Sequence, residues 1–129
     1  MITDSATARA LVIDDSTENR QLFAFVLSRA GYEVVEAESG SKGLTLLDHD
    51  PDFHVLVLDL LMPGITGVEV LHRLRADPRY EGLYIIVATG NSHMAASEGL
   101  VVSADFVVYK PVDVDKFIKL VERLRAAPR

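Results

Sequence analysis

The order of apolar segments predicts an α/β fold in which a parallel sheet is covered by helices on both faces. Three observations carry this. Strand-sized, continuously apolar runs recur five times. Each is followed by a segment with apolar residues at helical spacing. Strands that are apolar throughout, rather than alternating, are those buried on both faces of a parallel sheet. The length of 129 residues, 49% of them apolar, suits a single domain with one core over about residues 8–126.

The first strand spans Ala8–Ile13 and runs into Asp14-Asp15. Asn19–Ala30 carries Leu22, Phe23, Val26, Leu27 and Ala30 as a helical stripe, with Ser16 or Thr17 available to cap its start and Gly31 to end it. Tyr32–Ala37 is a short strand centred on valines. Ser39 caps a second helix that carries Leu44, Leu46 and Leu47 and stops before Pro51. Phe53–Leu58 is the third strand, and Val68–Ala76 is a helix ended by Asp77-Pro78. Tyr84–Ala88 is the fourth strand. Ser92–Ser103 is a weaker fourth helix with Gly99 inside it. Phe106–Tyr109 is the fifth strand, and Val112–Ala126 is the fifth helix, with Phe117, Ile118, Val121 and Leu124 on one face.

Bulk properties exclude several function classes. The net charge of −6 argues against a surface that binds nucleic acid directly. With no cysteine, disulfides, thiolate catalysis and thiolate zinc sites are absent. No apolar run approaches the length of a membrane span, and the first residues lack the pattern of a signal peptide, so a cytoplasmic location is expected. The four histidines, His49, His54, His72 and His93, form no metal-ligand spacing and read as surface or local polar residues.

The functional signal lies where strands end. Asp59 follows Val55–Leu58, and Asp14-Asp15 follows Leu11–Ile13. A carboxylate at the end of a buried strand must be paired, hydrogen-bonded or metal-bound. In open sheets of this kind ligands sit beyond the carboxyl ends of the strands. That edge would gather Asp14, Asp15, Asp59, Thr89 and Lys110, a constellation suited to a divalent cation and a phosphoryl group. Alone, Asp59 would read as a helix cap or a partner of Lys110, and Asp-Asp-Ser as a turn. Two adjacent acids are better explained by a metal.

With Val12-Ile13-Asp14-Asp15, Asp59-Leu60-Leu61-Met62-Pro63-Gly64, Gly67, Thr89-Gly90 and Lys110-Pro111 in order on these elements, the chain resembles a response-regulator receiver domain, the phosphoacceptor half of two-component signalling. The resemblance extends from about Arg9 to Arg125. It implies the flavodoxin-like fold with sheet order 2-1-3-4-5. It implies Asp59 as the phosphorylated nucleophile, and Mg²⁺ (with Mn²⁺ or Ca²⁺ as substitutes) held by Asp14, Asp15, Asp59 and the backbone carbonyl of Leu61. Mg²⁺ prefers oxygen and keeps several waters, so few carboxylates suffice. Lys110 and Thr89 would contact the phosphoryl oxygens, and Gly90 would leave them room. A cis Lys110–Pro111 bond would point Lys110 into the site. The chain would catalyse only its own aspartyl phosphorylation and dephosphorylation. Its partners would be a histidine kinase or histidine phosphotransfer protein and a downstream protein target, with the chain itself a monomer or weak homodimer. Phosphorylation would switch the face made by the fourth helix, fifth strand and fifth helix.

The chain departs from that family's pattern in places. Val107 stands where receivers usually carry Tyr or Phe. Tyr109 shares the face of Val107 and Phe106 does not. The interval from Thr89 to Lys110 is one residue short, and Ser103 replaces a usual glycine. Chemistry is therefore expected to be retained and the output conformation to be atypical. Leu61 and Asn91, two residues beyond Asp59 and Thr89, are expected to tune the phosphoryl lifetime. Phe25 lies on the helix that partners usually dock against, either exposed or folded over the core edge. An interaction module independent of phosphorylation would need a damaged site, and none of the five key positions is damaged. A haloacid-dehalogenase-type phosphatase needs an acid where Leu61 stands, a flavodoxin needs a Ser/Thr/Gly-rich loop where Asp14-Asp15 stand, and there is no Walker loop. A stand-alone regulator and a receiver from a hybrid histidine kinase both remain compatible with the chain.

Overall fold

The computed structural model describes residues 8–90 and 104–127. The chain runs β1 (Arg9–Ile13), α1 (Thr17–Arg29), β2 (Glu33–Ala37), α2 (Gly40–His49), β3 (Val55–Asp59), α3 (Gly67–Arg75), a 3-10 turn (Pro78–Tyr80), β4 (Tyr84–Thr89), β5 (Phe106–Tyr109) and α4 (Val114–Ala126). The five strands are all parallel in the order β2-β1-β3-β4-β5, the predicted flavodoxin-like sheet. The helix expected over 92–103, with Gly99, His93 and Ser103, lies outside the described residues, as does Asn91.

Strand side chains alternate between two apolar layers, as the pleat requires. Leu11, Ile13, Leu56, Leu58, Ile85 and Val87 pack with Leu47 of α2 and Val70, Leu71 and Leu74 of α3. Ala10, Val12, Val55, Val57, Ile86 and Ala88 pack with Phe23 and Leu27 of α1 and Phe117 and Val121 of α4. The rings of Phe23 and Phe117 meet at 5.3 Å between centroids and join α1 to α4. Phe106 and Val108 face the α1–α4 layer and Val107 faces the other, so the strand register read from the sequence holds. At Gly43 an added Cβ would lie 2.2 Å from Ile13 Cδ1, so any side chain there would require the Ile13 side chain to move.

Element ends differ from the sequence reading where polar capping, rather than apolar periodicity, decides. α1 begins at Thr17, not Asn19, because Ser16 Oγ accepts from Asn19 N and the first turn is polar. α4 begins at Val114, not Val112, because Asp113 accepts from Lys116 N. β1 begins at Arg9 and β2 at Glu33, each one residue later than the apolar run. Phe53 is apolar without being a strand residue. It is buried under the Arg9 guanidinium, 4.2 Å from its ring centroid, and β3 starts at Val55. β3 continues through Asp59, which pairs with Ala88, and β4 continues through Thr89. α3 runs one residue earlier than expected at each end, with Thr66 as its cap. The 3-10 turn after Asp77 was not read from the sequence. It buries Tyr80, and Asp77 accepts from Arg79 N.

The carboxyl end of α4 is held by three side chains from the amino end of the sheet. The Tyr32 hydroxyl donates to the Val121 carbonyl (2.6 Å), His54 Nε2 lies 2.8 Å from the Leu124 carbonyl, and the Tyr84 hydroxyl donates to the Ala127 carbonyl (3.2 Å). The His54 ring lies between the two tyrosines, at 6.4 and 5.8 Å. The Leu124 and Ala127 carbonyls lie at the helix end, where intrahelical partners run out, and the Val121 carbonyl lies one turn earlier. Burial pushes the Tyr32 hydroxyl pKa up to about 12, which keeps it a donor. Replacing Tyr32 with Phe should lower stability by about 1 kcal/mol in urea unfolding, with no change in the denaturant slope.

Candidate metal centre

Parallel register brings the ends of β1, β3, β4 and β5 to one edge, and Asp14, Asp15, Asp59, Thr89 and Lys110 lie there. Asp14, Asp15 and Asp59 each offer a carboxylate oxygen within 4.8 Å of the others. Asp14 and Asp59 are buried and Asp15 is exposed. Lys110 Nζ lies 3.0 Å from Asp14 Oδ2 and 3.5 Å from Asp59 Oδ1. The Lys110–Pro111 peptide is cis. Thr89 is fully buried at the end of β4, and its carbonyl accepts from Lys110 N (2.9 Å), tying the ends of β4 and β5 together. A Cβ at Gly90 would meet no atom of the described residues within 4 Å.

Local structure places each acid. Asp14 Oδ1 accepts from Ser16 N (2.9 Å), forming the turn from β1 into α1, while Asp14 N donates to the Ala37 carbonyl (3.2 Å) at the end of β2. Asp59 is the last residue of β3, and its Oδ1 accepts from Leu61 N (3.4 Å). Behind Asp59 the start of α3 presses against the strand. A Cβ at Gly67 would lie 2.0 Å from the Asp59 carbonyl oxygen, and Gly67 N donates to the Leu60 carbonyl (3.1 Å). Only glycine permits that approach. Gly64, with φ +77, turns the intervening loop. Leu61 itself is exposed in that loop.

Burial of Asp59, followed by the charge of Asp14, raises the Asp59 pKa to about 6. Lys110 and the Leu61 N–H oppose the shift. The group is therefore mostly ionised at neutral pH, but its charge is poorly compensated. Three oxygen donors crowded this way fit a hard dication such as Mg²⁺, which would relieve their repulsion.

One further residue at the edge of the site bears on it. Arg20 on α1 donates from Nη1 to the Asp14 carbonyl (2.8 Å), a contact that no motif in the sequence signalled. Phe25 is 62% exposed and does not fold over the core, with Arg29 5.8 Å from its ring centroid. Val107 is partly buried and Tyr109 is exposed. Among the histidines, His49 Nδ1 lies 2.9 Å from the Thr45 carbonyl and His72 is exposed.

A family model described as the response regulator receiver domain matches residues 10–122. The chain belongs to that family, and is a receiver domain of two-component systems with an acidic pocket. It is 34% identical over 121 residues to the phosphate regulon transcriptional regulatory protein PhoB of Pseudomonas aeruginosa, covering 92% of this chain and 51% of that one. It is 40% identical over 82 residues to the chemotaxis protein CheY1 of Helicobacter pylori, covering 63% and 66%. Among solved structures, the Thermotoga maritima response regulator TrrA in complex with Mg²⁺-BeF superposes with a TM-score of 0.80 at 32% identity, covering 91% of this chain and 98% of that one. The chain thus spans between half and two thirds of the length of these curated relatives.

The raised pKa of Asp59 has a stability consequence in metal-free protein. Folding favours the protonated form, so this group's contribution is fully present below its unfolded pKa of 3.8 and is lost as pH rises through about 6. Asp59→Asn should therefore stabilise the metal-free protein at pH 7.5 by about 2 kcal/mol and do little at pH 4. Urea unfolding in EDTA at the two pH values reads this directly.

Proposed function

We propose that this chain is a phosphoacceptor in a two-component phosphorelay, with Asp59 as the phosphorylated residue. The observation that carries the reading is the meeting of Asp14, Asp15 and Asp59 within 4.8 Å, with Lys110 in ion-pair contact with two of them. Asp14, Asp15, Asp59 and the Leu61 carbonyl would hold Mg²⁺, with Mn²⁺ or Ca²⁺ as substitutes. When bound, the dication neutralises the acid cluster and the charge of the incoming phosphoryl group. The Mg²⁺-BeF complex of the Thermotoga maritima relative supports this assignment.

The ionised Asp59 oxygen attacks the phosphorus of a phosphohistidine on a partner histidine kinase or phosphotransfer protein. The O–P bond forms as the N–P bond breaks, and the imidazole keeps the electron pair and takes up a proton. Lys110 moves its charge from the carboxylates to the phosphoryl oxygens, and Thr89 donates its hydroxyl to one of them. Gly90 leaves room beside it. Positioning and charge supply most of what phosphoryl transfer requires of a protein. The chain acts on no separate substrate. It works in the cytoplasm and passes its state to a downstream protein through the face that includes β5 and α4. With Val107 partly buried and Tyr109 exposed on that face, the switch runs without the family's usual aromatic.

Incubation with acetyl phosphate should label wild type only when Mg²⁺ is present, and EDTA should abolish labelling. Asp59→Asn should remain folded and unlabelled. Labelling that persists in Asp59→Asn, or wild type that stays unlabelled and shows no beryllofluoride-induced spectral change, would overturn the reading. Exposed Leu61 cannot hydrogen-bond a water, so Leu61→Asn should shorten the phosphoryl half-life in a decay assay.

A further inference from the structure

We infer that Arg20 is a positioning residue for divalent-cation binding, acting through the Asp14–Asp15 peptide. The inference rests on the metal reading of the acid cluster. The three acids are not held equally. The Asp14 carboxylate is fixed by Ser16 N and Lys110 Nζ, and Asp59 by Leu61 N and Lys110. Asp15 is exposed, and its side chain has no hydrogen bond or ion pair among the described residues. Its direction is set by the backbone that carries it, and that backbone is gripped at the two peptides flanking Asp14. Asp14 N donates to the Ala37 carbonyl at 3.2 Å, and the Asp14 carbonyl accepts from Arg20 Nη1 at 2.8 Å. The Ile13–Asp14 and Asp14–Asp15 peptides, on either side of the Asp14 Cα, are thereby each held by one hydrogen bond, and the second of them is held by Arg20.

The guanidinium is itself fixed. Its Nη2 donates to Thr17 Oγ1 (3.2 Å), and its Nε lies 3.4 Å from Glu36 Oε1. Its side chain is only 14% exposed. Glu36 and Ala37 are adjacent at the end of β2, so that strand braces the loop twice: once through its backbone and once through Arg20. The planar fork meets the carbonyl, the hydroxyl and the carboxylate with three separate nitrogens, whereas a lysine has a single nitrogen for all three. Partners one step behind a metal ligand commonly contribute about 10–100-fold to metal affinity by fixing the ligand's orientation.

The proposal makes a prediction opposite in sign to simple electrostatics. A positive charge beside an acid cluster repels a cation, so removing it would tighten binding if charge were its only contribution. Positioning requires the reverse. Mg²⁺ binding should be followed by calorimetry, and by amide shifts of Asp15 and Ser16, in wild type, Arg20→Gln and Arg20→Lys. Arg20→Gln should weaken Mg²⁺ about tenfold, and Arg20→Lys, which keeps the charge and loses the fork, should weaken it at least as much. Metal-free spectra of both variants should change mainly at residues 14–17. Tighter or unchanged binding in Arg20→Gln, with wild type binding Mg²⁺, overturns the role of Arg20 alone. Wild type that binds no Mg²⁺ overturns the metal reading and this inference with it. Restored wild-type affinity in Arg20→Lys also overturns it, since charge and length would then suffice.

Discussion

Repulsion among carboxylates at the edge of a parallel sheet governs this molecule. Asp14 and Asp59 are buried side by side, and the only cation in ion-pair contact with both among the described residues is Lys110, brought by β5 from the other end of the chain. Water would solvate such charges and the protein interior does not. The fold thus maintains a poorly compensated cluster, and the raised pKa of Asp59 reports how incomplete the compensation is. Sites that bind a dication or accept a charged group are built on this kind of imbalance.

The surrounding structure serves to keep that cluster from relaxing. Gly67 lets α3 press on the backbone of Asp59, the Thr89 carbonyl holds Lys110, and the end of β2 holds Asp14. Each contact links an acid or its counter-ion to a different element. The apolar layers on both faces of the sheet fix those elements relative to one another, so the edge inherits its rigidity from the core.

The sheet order followed from the family resemblance, while the meeting of Asp14, Asp15, Asp59 and Lys110 at one edge was legible in the sequence for a physical reason. Strands buried on both faces must be apolar, so Asp14 and Asp59 stand out as interruptions, and the strand-then-helix order puts all such ends on one side. Element boundaries were less legible. Ser16 and Asp113 start helices through single hydrogen bonds that leave no periodic trace, and Phe53 is apolar because it lies beneath Arg9 rather than because it pairs in the sheet. Arg20 was invisible for a related reason. Its role depends on which carbonyl lies within reach, and side-chain identity alone does not encode that. His54 was read only as a local polar residue, and its contact with the Leu124 carbonyl spans 70 positions of sequence.

That last contact has a mechanical meaning. Tyr32, His54 and Tyr84, at the starts of β2, β3 and β4, moor the carboxyl half of α4 to the sheet, whereas its other end follows directly on the segment that bears Lys110. A rod tethered at its base travels least there and most at its tip. Any displacement of Lys110 would therefore reach the helix at its untethered tip, with the anchored base as the fulcrum.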